Sequence, residues 1–321
     1  MIDRQTIIKN IPNAITGISA KNLGIKKSGK VRDWFVKDNL RILVATDRIS
    51  AFDRVLGHIP FRGAVLNKLS AFWFEKTRDI VQNHMIGTIH PNIMLVSECQ
   101  TLPVEVVVRG YITGVTDTSL WKKYESGERV IYGIKFPEGL KKNQKLQKPV
   151  ITPTTKASTG HDQPITARDI VSKKLIPPAI WKQIEKAAIS LFQRGLAIAD
   201  KGGLILADTK YEFGLDKKGK LILIDEIHTP DSSRFWLKSS YRERFKNGQE
   251  VENYDKEVMR IWFKEQGYSG EGKAPKMTND IIVKVSERYM EVFEKLTGEK
   301  FALDLSAPPK ESIITSLSKL T

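Results

Sequence analysis

Asp208, Lys210 and Glu212 stand at alternate positions of an apolar stretch, Gly203-Leu-Ile-Leu-Ala-Asp-Thr-Lys-Tyr-Glu-Phe-Gly-Leu215, and Asp225-Glu226 end the apolar stretch that follows. Side chains along a strand repeat with period two, so the first three share one face. The turn signal Asp216-Lys-Lys-Gly219 predicts a hairpin that brings Asp225 roughly opposite Lys210 or Glu212. A cation and at least two carboxylates then meet on a sheet whose other positions are core-like. Hard divalent cations take carboxylate oxygens and share them with nucleotide phosphates, so one reading is a metal–phosphate site. The other is a surface hairpin with solvated charges.

A second alternation lies in Pro103-Val-Glu-Val-Val-Val-Arg-Gly-Tyr111. Val104, Val106 and Val108 take one face, leaving Glu105, Val107 and Arg109 on the other. Glu105 and Arg109 are then about 13 Å apart, too far to pair, and in a buried strand each needs its own partner, for which a ligand or metal is a candidate. An edge strand with a wet face would show the same pattern. Further on, Ser232, Ser233 and Arg234 in His228-Thr-Pro-Asp-Ser-Ser-Arg-Phe-Trp236 suit a phosphate or carboxylate, because Arg grips either in a two-pronged geometry. Ser28-Gly-Lys-Val-Arg32 sets a glycine, Gly29, beside Lys30 and Arg32, where backbone amides and charge can both meet phosphates. The same residues also make an ordinary turn.

These residues need elements to position them. The pattern predicts a strand hairpin from 31–36 and 40–46 and a helix over 66–84, then a polar loop over 149–166 that is either a plain connector or a functional loop whose Lys156, His161 and Asp162 contact an anionic substrate. A helix is expected from Pro178 to about Asp200, closed by Gly202-Gly203, and two more over 255–266 and 280–296, the last capped by Thr278. The lysine-rich stretches 141–148 and 217–220 read as solvated loops.

With 321 residues and 40% hydrophobic content, the chain can bury a sizeable core in one large domain or two lobes. No run approaches the roughly 20 apolar residues of a membrane span, and no signal peptide is read at the start. The single Cys99 excludes an internal disulfide. A cytoplasmic protein with no membrane partner is expected. The net charge of +15 draws anions, but no helix-turn-helix, zinc finger or ribonucleoprotein signature accompanies it, so no nucleic-acid partner is expected.

In order along the chain, Ser28-Gly-Lys-Val-Arg-Asp33, Thr46-Asp-Arg-Ile-Ser-Ala-Phe-Asp53, Val106-Val-Val-Arg-Gly-Tyr111, Asp208-Thr-Lys-Tyr-Glu-Phe-Gly214 and Asp225-Glu-Ile-His-Thr-Pro-Asp-Ser-Ser-Arg234 resemble the motifs of phosphoribosylaminoimidazole-succinocarboxamide synthases, the SAICAR synthetases. The resemblance spans about 25–300. It implies an α+β fold of two lobes with an ATP cleft between them: a β-rich, kinase-like or ATP-grasp-like lobe over 1–102, and a larger α+β lobe over 103–321. It also implies an ATP- and Mg2+-dependent ligase that condenses 5-aminoimidazole-4-carboxyribonucleotide (CAIR) with L-aspartate through an acyl phosphate. In that family Gly29, Lys30 and Arg32 would hold ATP phosphates, and Lys210, Glu212 and Asp225 would place them with their metal. Asp53 and Glu105 would serve the imidazole substrate, with a second metal between them as a further option. Arg109, Ser232, Ser233 and Arg234 would take anionic substrate ends. By analogy with kinase-like folds, adenine would dock near Val96 to Gln100.

Two departures stand out. Gly114-Val115 replaces a common Gly-Ser, leaving Thr116, Thr118 or Ser119 to supply the hydroxyl, and the chain is longer than compact members within 110–165 and at its C-terminus. The oligomeric state is open, with a monomer favoured. A small-molecule kinase using the same Lys, Glu and Asp set, or a basic RNA-binding protein, are the alternative functions.

Overall fold

The computed structural model describes residues 1–20, 22–115, 118–156 and 162–320. Helices and sheets share the chain, as expected of an α+β protein. Across the first sheet the strands run Ile25–Ser28, Arg32–Lys37, Leu40–Ala45, Ile93–Ser97, Met85–His90, all antiparallel. The expected hairpin is there and turns at Asp38-Asn39, where Asp38 takes the positive φ of 54° that a tight hairpin turn asks for.

The second sheet sets Gln144–Thr155 beside Gln100–Ile112 and that strand beside Leu204–Leu215. The far edge of Leu204–Leu215 is shared: Ser233–Leu237 pairs with its first half and Leu221–Ile224 with its second. The connection 225–232 therefore leaves the sheet at the strand's midpoint, where Lys210 N–H donates to Ser232 O at 2.8 Å. On the back of the sheet Val104, Val106, Val108, Tyr211 and Phe213 are buried in one core with Trp181, Ile184, Leu191 and Phe192 of the helix Pro178–Lys201. Burying one such side chain is worth roughly 1.5–3 kcal/mol. A one-residue slip would expose all of them and bury the charges, so the apolar face fixes which way Lys210 and Glu105 point.

Three expectations are corrected. The helix read over 66–84 runs Arg62–Lys76. Its start is set from afar, by Asp47 Oδ1 accepting from Gly63 N–H at 2.9 Å, and its apolar spacing ran on because Ile80 and Val81 pack against the same core after the helix ends. The first part of the supposed loop 149–166 is strand, within Gln144–Thr155, which also takes in Lys145 and Lys148. Prolines 149 and 153 are tolerated because this is an edge strand, and the segment 163–165 that covers its outer side asks Pro153 only for its carbonyl, which accepts from Ile165 N–H at 3.1 Å. The helix over 255–266 is shorter, Glu257–Glu265.

The helix Asn279–Thr297 has its Thr278 cap and closes on Gly298 at φ 77°. Beyond it the helix Pro309–Ser318 lays Ile313 and Leu317 onto Ile15, Ile18, Phe35, Ile42, Val44 and Ile93, a core of the first sheet. The extra length within 110–165 has a small core of its own, with Leu120, Tyr124, Ile131 and Phe136. Among the described residues no helix is long and apolar enough to cross a membrane.

Candidate active site

Glu212 lies directly opposite Glu105 in the ladder, and Asp208 directly opposite Arg109. Two facing carboxylates repel unless a cation intervenes. Lys210 is that cation: its Nζ is 3.0 Å from Glu105 Oε1, bonds Glu212 Oε1 and sits 3.9 Å from Asp225 Oδ2. Lys156, at the end of the edge strand, bonds the other oxygen of Glu212. Burial alone would raise the pKa of Glu212, but Lys210 and Lys156 outweigh it and hold the carboxyl well below its usual range. Glu105 is raised, because burial there outweighs Lys210. Burial would lower Lys210, yet Glu212, Glu105 and Asp225 keep it well above the ordinary lysine value, so the ammonium stays charged.

Asp225 arrives by a different route from the one the turn suggested. Strand pairing ends at Glu212 and Ile224, and Asp225 follows in the left-handed region at φ 69°. That twist carries its carboxylate to Arg32 of the first sheet, which also reaches Glu226 Oε2 at 2.7 Å. Gly29 and Lys30 form the turn before Arg32, closed by Gly29 N–H to Arg32 O at 2.8 Å. Arg48 holds the turn from behind, donating to Gly29 O at 3.0 Å and Lys30 O at 3.1 Å. Lys30 Nζ meets Asp53 Oδ1 at 2.6 Å, so the structure places Asp53 with the turn. Val96 is fully buried, flanked by Arg41 and Met85, and the two sheets connect through Glu98 and Cys99, with Glu98 clamped by Arg41 at 2.7 and 2.5 Å.

Beside Lys210 opens a cavity of about 230 Å³, whose walls include Arg109, Thr118, Ser232, Ser233, Arg234 and Lys256. Here the charge pattern inverts. One carboxylate oxygen, Asp208 Oδ2, accepts from Arg109 at 3.1 Å and from Arg234 at 2.5 Å. Arg109 Nε also donates to Thr152 Oγ1 at 2.8 Å. Burial lowers the Arg109 pKa against the pull of Asp208, whereas at Arg234 the charges of Asp208 and Glu257 outweigh burial and raise it. Ser233 Oγ donates to Thr209 Oγ1 at 2.8 Å, and Ser232 Oγ lies 3.3 Å from Thr229 Oγ1. Thr118 is a hydroxyl on the cavity wall, while Ser119 Oγ caps the helix Leu120–Glu125.

Glu105 and Arg109 thus have the separate partners their spacing demanded, but the neighbouring strand supplies them. Asp162 bears on Glu105 by its charge, and His161 and Thr116 lie outside the described residues. Asp208, Glu226, Arg48 and Lys256 went unread as site residues. The period-two pattern already put Asp208 on the right face, Glu226 stood beside Asp225 and Arg48 lay within the motif Thr46–Asp53 without being given a role, and no signal in the sequence marked Lys256. Among the described residues no group of three or more His, Cys, Asp and Glu is arranged to hold a metal ion. Of the carboxylates expected as ligands, Glu105, Glu212, Asp225 and Asp53, each takes a Lys or Arg partner. Mg2+ needs only one or two carboxylates where phosphates and waters complete its shell, and Glu212 and Asp225 around one cation fit that shared kind of site.

Two antiparallel sheets are thus joined across Arg32, with a carboxylate-ringed ammonium beside a guanidinium-lined cavity. A SAICAR synthase from Saccharomyces cerevisiae complexed with SAICAR has the same fold, with a TM-score of 0.77 and 33% identity, over 90% of this chain and all of that one. The chain belongs to the SAICAR synthetase family, whose model matches residues 25–277. A phosphoribosylaminoimidazole-succinocarboxamide synthase of Legionella pneumophila is 49% identical over 89% of this chain and 92% of its own length. A SAICAR synthetase in complex with ADP shares the fold at a TM-score of 0.67 and 24% identity, covering 87% of this chain and all of that one. The resemblance carried by the motifs is borne out. The activity is the ATP-dependent ligation of CAIR and L-aspartate in purine biosynthesis.

Proposed function

We propose that the two ends of the central strand pair divide this ligation between them. A free carboxylate does not react with an amine at neutral pH, so the CAIR carboxylate must first be activated. Its oxygen attacks the γ-phosphorus of ATP and ADP leaves; the aspartate nitrogen then attacks the acyl carbon, phosphate leaves, and the amine gives up a proton. Gly29, Lys30 and Arg32 hold the ATP phosphates, and Lys210 stabilises the charge that moves during transfer. That a protein with the same fold is known in complex with ADP agrees with a nucleotide substrate for this one. Glu212 and Asp225 would hold Mg2+, which when bound neutralises phosphate charge. Glu105, which feels the charge of Asp162, receives the imidazole part of CAIR, and Asp53, held by Lys30, is its second carboxylate contact. Arg109, Ser232, Ser233 and Arg234 receive an anionic substrate end, a role also open to His161. Adenine docks on the connection after Val96.

This reading divides the chain into lobes at 102/103, just after it crosses between sheets. The working unit in this reading is a monomer. The observation that carries the proposal is the inversion of charge between Lys210 and Asp208, two residues apart on one strand face. ADP release from ATP and Mg2+ with CAIR, with and without L-aspartate, tests it while product absorbance is followed. Release that requires both co-substrates and keeps step with product is expected. Release with CAIR alone would mean that the phosphate end works uncoupled from amide formation.

A further inference from the structure

The connection 225–232 touches both ends of the site, and its hub is Thr229. This side chain is fully buried and is not part of the cavity wall. Its Oγ1 lies 3.0 Å from Glu226 Oε2 and 3.2 Å from the backbone N–H groups of both Asp231 and Ser232. A hydroxyl has one proton and two lone pairs. Its proton goes to Glu226, and the two amides, with Ser232 Oγ a longer 3.3 Å away, occupy its lone-pair side, so the hydroxyl is fully engaged.

Each partner leads to a different part of the site. The same Glu226 Oε2 is 2.7 Å from Arg32 Nη2 on the first sheet. Ser232 is on the cavity wall, its Oγ accepting from Thr229 N–H at 3.1 Å and its carbonyl accepting from Lys210 N–H. The carboxylate of Asp231 holds the buried Arg62 and, at 3.3 Å, Nζ of Lys256, another residue of the cavity wall. One bonded path thus runs from Arg32 through Glu226 and Thr229 to Ser232 and Lys256. It passes through no group that a substrate could reach at Thr229 itself.

We propose that Thr229 is a positioning residue for the ligation, a hydroxyl that sets the phosphate-holding end and the anion-holding end in one geometry. Valine in its place would keep the shape but leave a carboxylate oxygen and two amides short of a partner in a dry interior, so the connection would settle differently. The inference rests on the roles proposed above for Arg32 and for Ser232 with Arg234.

The test is steady-state kinetics of Thr229→Val and Thr229→Ser with all three substrates, beside Arg32→Ala, Arg234→Ala and thermal unfolding of each. Thr229→Val is expected to raise KM for both ATP and CAIR about tenfold and to lower kcat, with Thr229→Ser restoring each. Should Thr229→Val not fold, Thr229→Cys, which keeps the volume with a weak donor, is expected to shift both KM values in the same direction. A lower unfolding temperature with both KM values unchanged would overturn the proposal and leave Thr229 merely structural. If neither arginine variant moves any KM, the reading of the site fails, and that outcome is distinct from failure at Thr229 alone.

Discussion

At one end of the site carried by the strands Gln100–Ile112 and Leu204–Leu215, one ammonium, Lys210, sits among three carboxylates. At the other, one carboxylate oxygen, Asp208 Oδ2, sits between two guanidiniums. The backbone is the same, the face is the same, and the two centres are neighbours on alternate positions. The difference teaches how a single sheet can be receptive to cations at one end and anions at the other. Each cluster is nearly neutralised from within, so neither leaves a bare charge buried, which would cost several kcal/mol. Each also keeps the sign of its majority for a ligand. A reaction that brings metal-bound phosphates against substrates rich in carboxylate and phosphate needs both signs within a few ångströms.

The comparison breaks most visibly at Glu212. Its carboxylate holds Lys210 and Lys156 at once, so Glu212→Ala should cut kcat by about 10³ or more, read as ADP release, with the fold kept by circular dichroism. Asp225→Ala should follow in the same direction. Near-normal turnover in both variants would remove the phosphate role from this end.

Asp208→Asn should act differently. Replacing the charge between Arg109 and Arg234 lets both guanidiniums drift, and KM for CAIR or aspartate should rise about 10- to 100-fold while KM for ATP changes little. Comparable increases in all three KM values would show that the two ends are not separate.

A smaller effect concerns pH. Asp255, buried at the cavity wall, has its carboxyl pushed up to about 7 by burial and the nearby charge of Glu257. In the unfolded chain the group ionises near its ordinary value of 3.8. Between these values the folded state binds the extra proton, so this residue's contribution falls as pH rises from about 4 to about 7, at about 1.4 kcal/mol per pKa unit. Relative to Asp255→Asn, the wild type should therefore lose unfolding temperature as pH rises through that window. A constant difference between the two proteins would contradict the raised pKa. Smallest of all, Lys217→Ser with Lys218→Ser should leave every kinetic constant within about twofold, because these exposed lysines belong to neither cluster.

Strand alternation made much of this legible. Period two put Asp208, Lys210 and Glu212 on one face of their strand and Glu105 with Arg109 on one face of theirs, and the valines between the latter fixed the side that faces the core. What stayed hidden depended on contacts remote in the chain. Asp225 lies just past the last ladder pair, and a positive φ at a non-glycine residue, not strand register, aims it. The edge strand at 149–155 read as loop because Pro and Thr look like turn formers wherever the partner strand is unknown. The start of the helix Arg62–Lys76 depends on Asp47 and Asp231, and no local spacing announces either.

The most direct measurement is calorimetric binding of Mg-ADP and of CAIR, each alone, to the wild type and to Asp208→Asn. A division of labour along the strand pair predicts that CAIR affinity falls about tenfold or more in the variant while Mg-ADP affinity is unchanged. Weakened Mg-ADP with unaltered CAIR would contradict it and place the nucleotide at the guanidinium end.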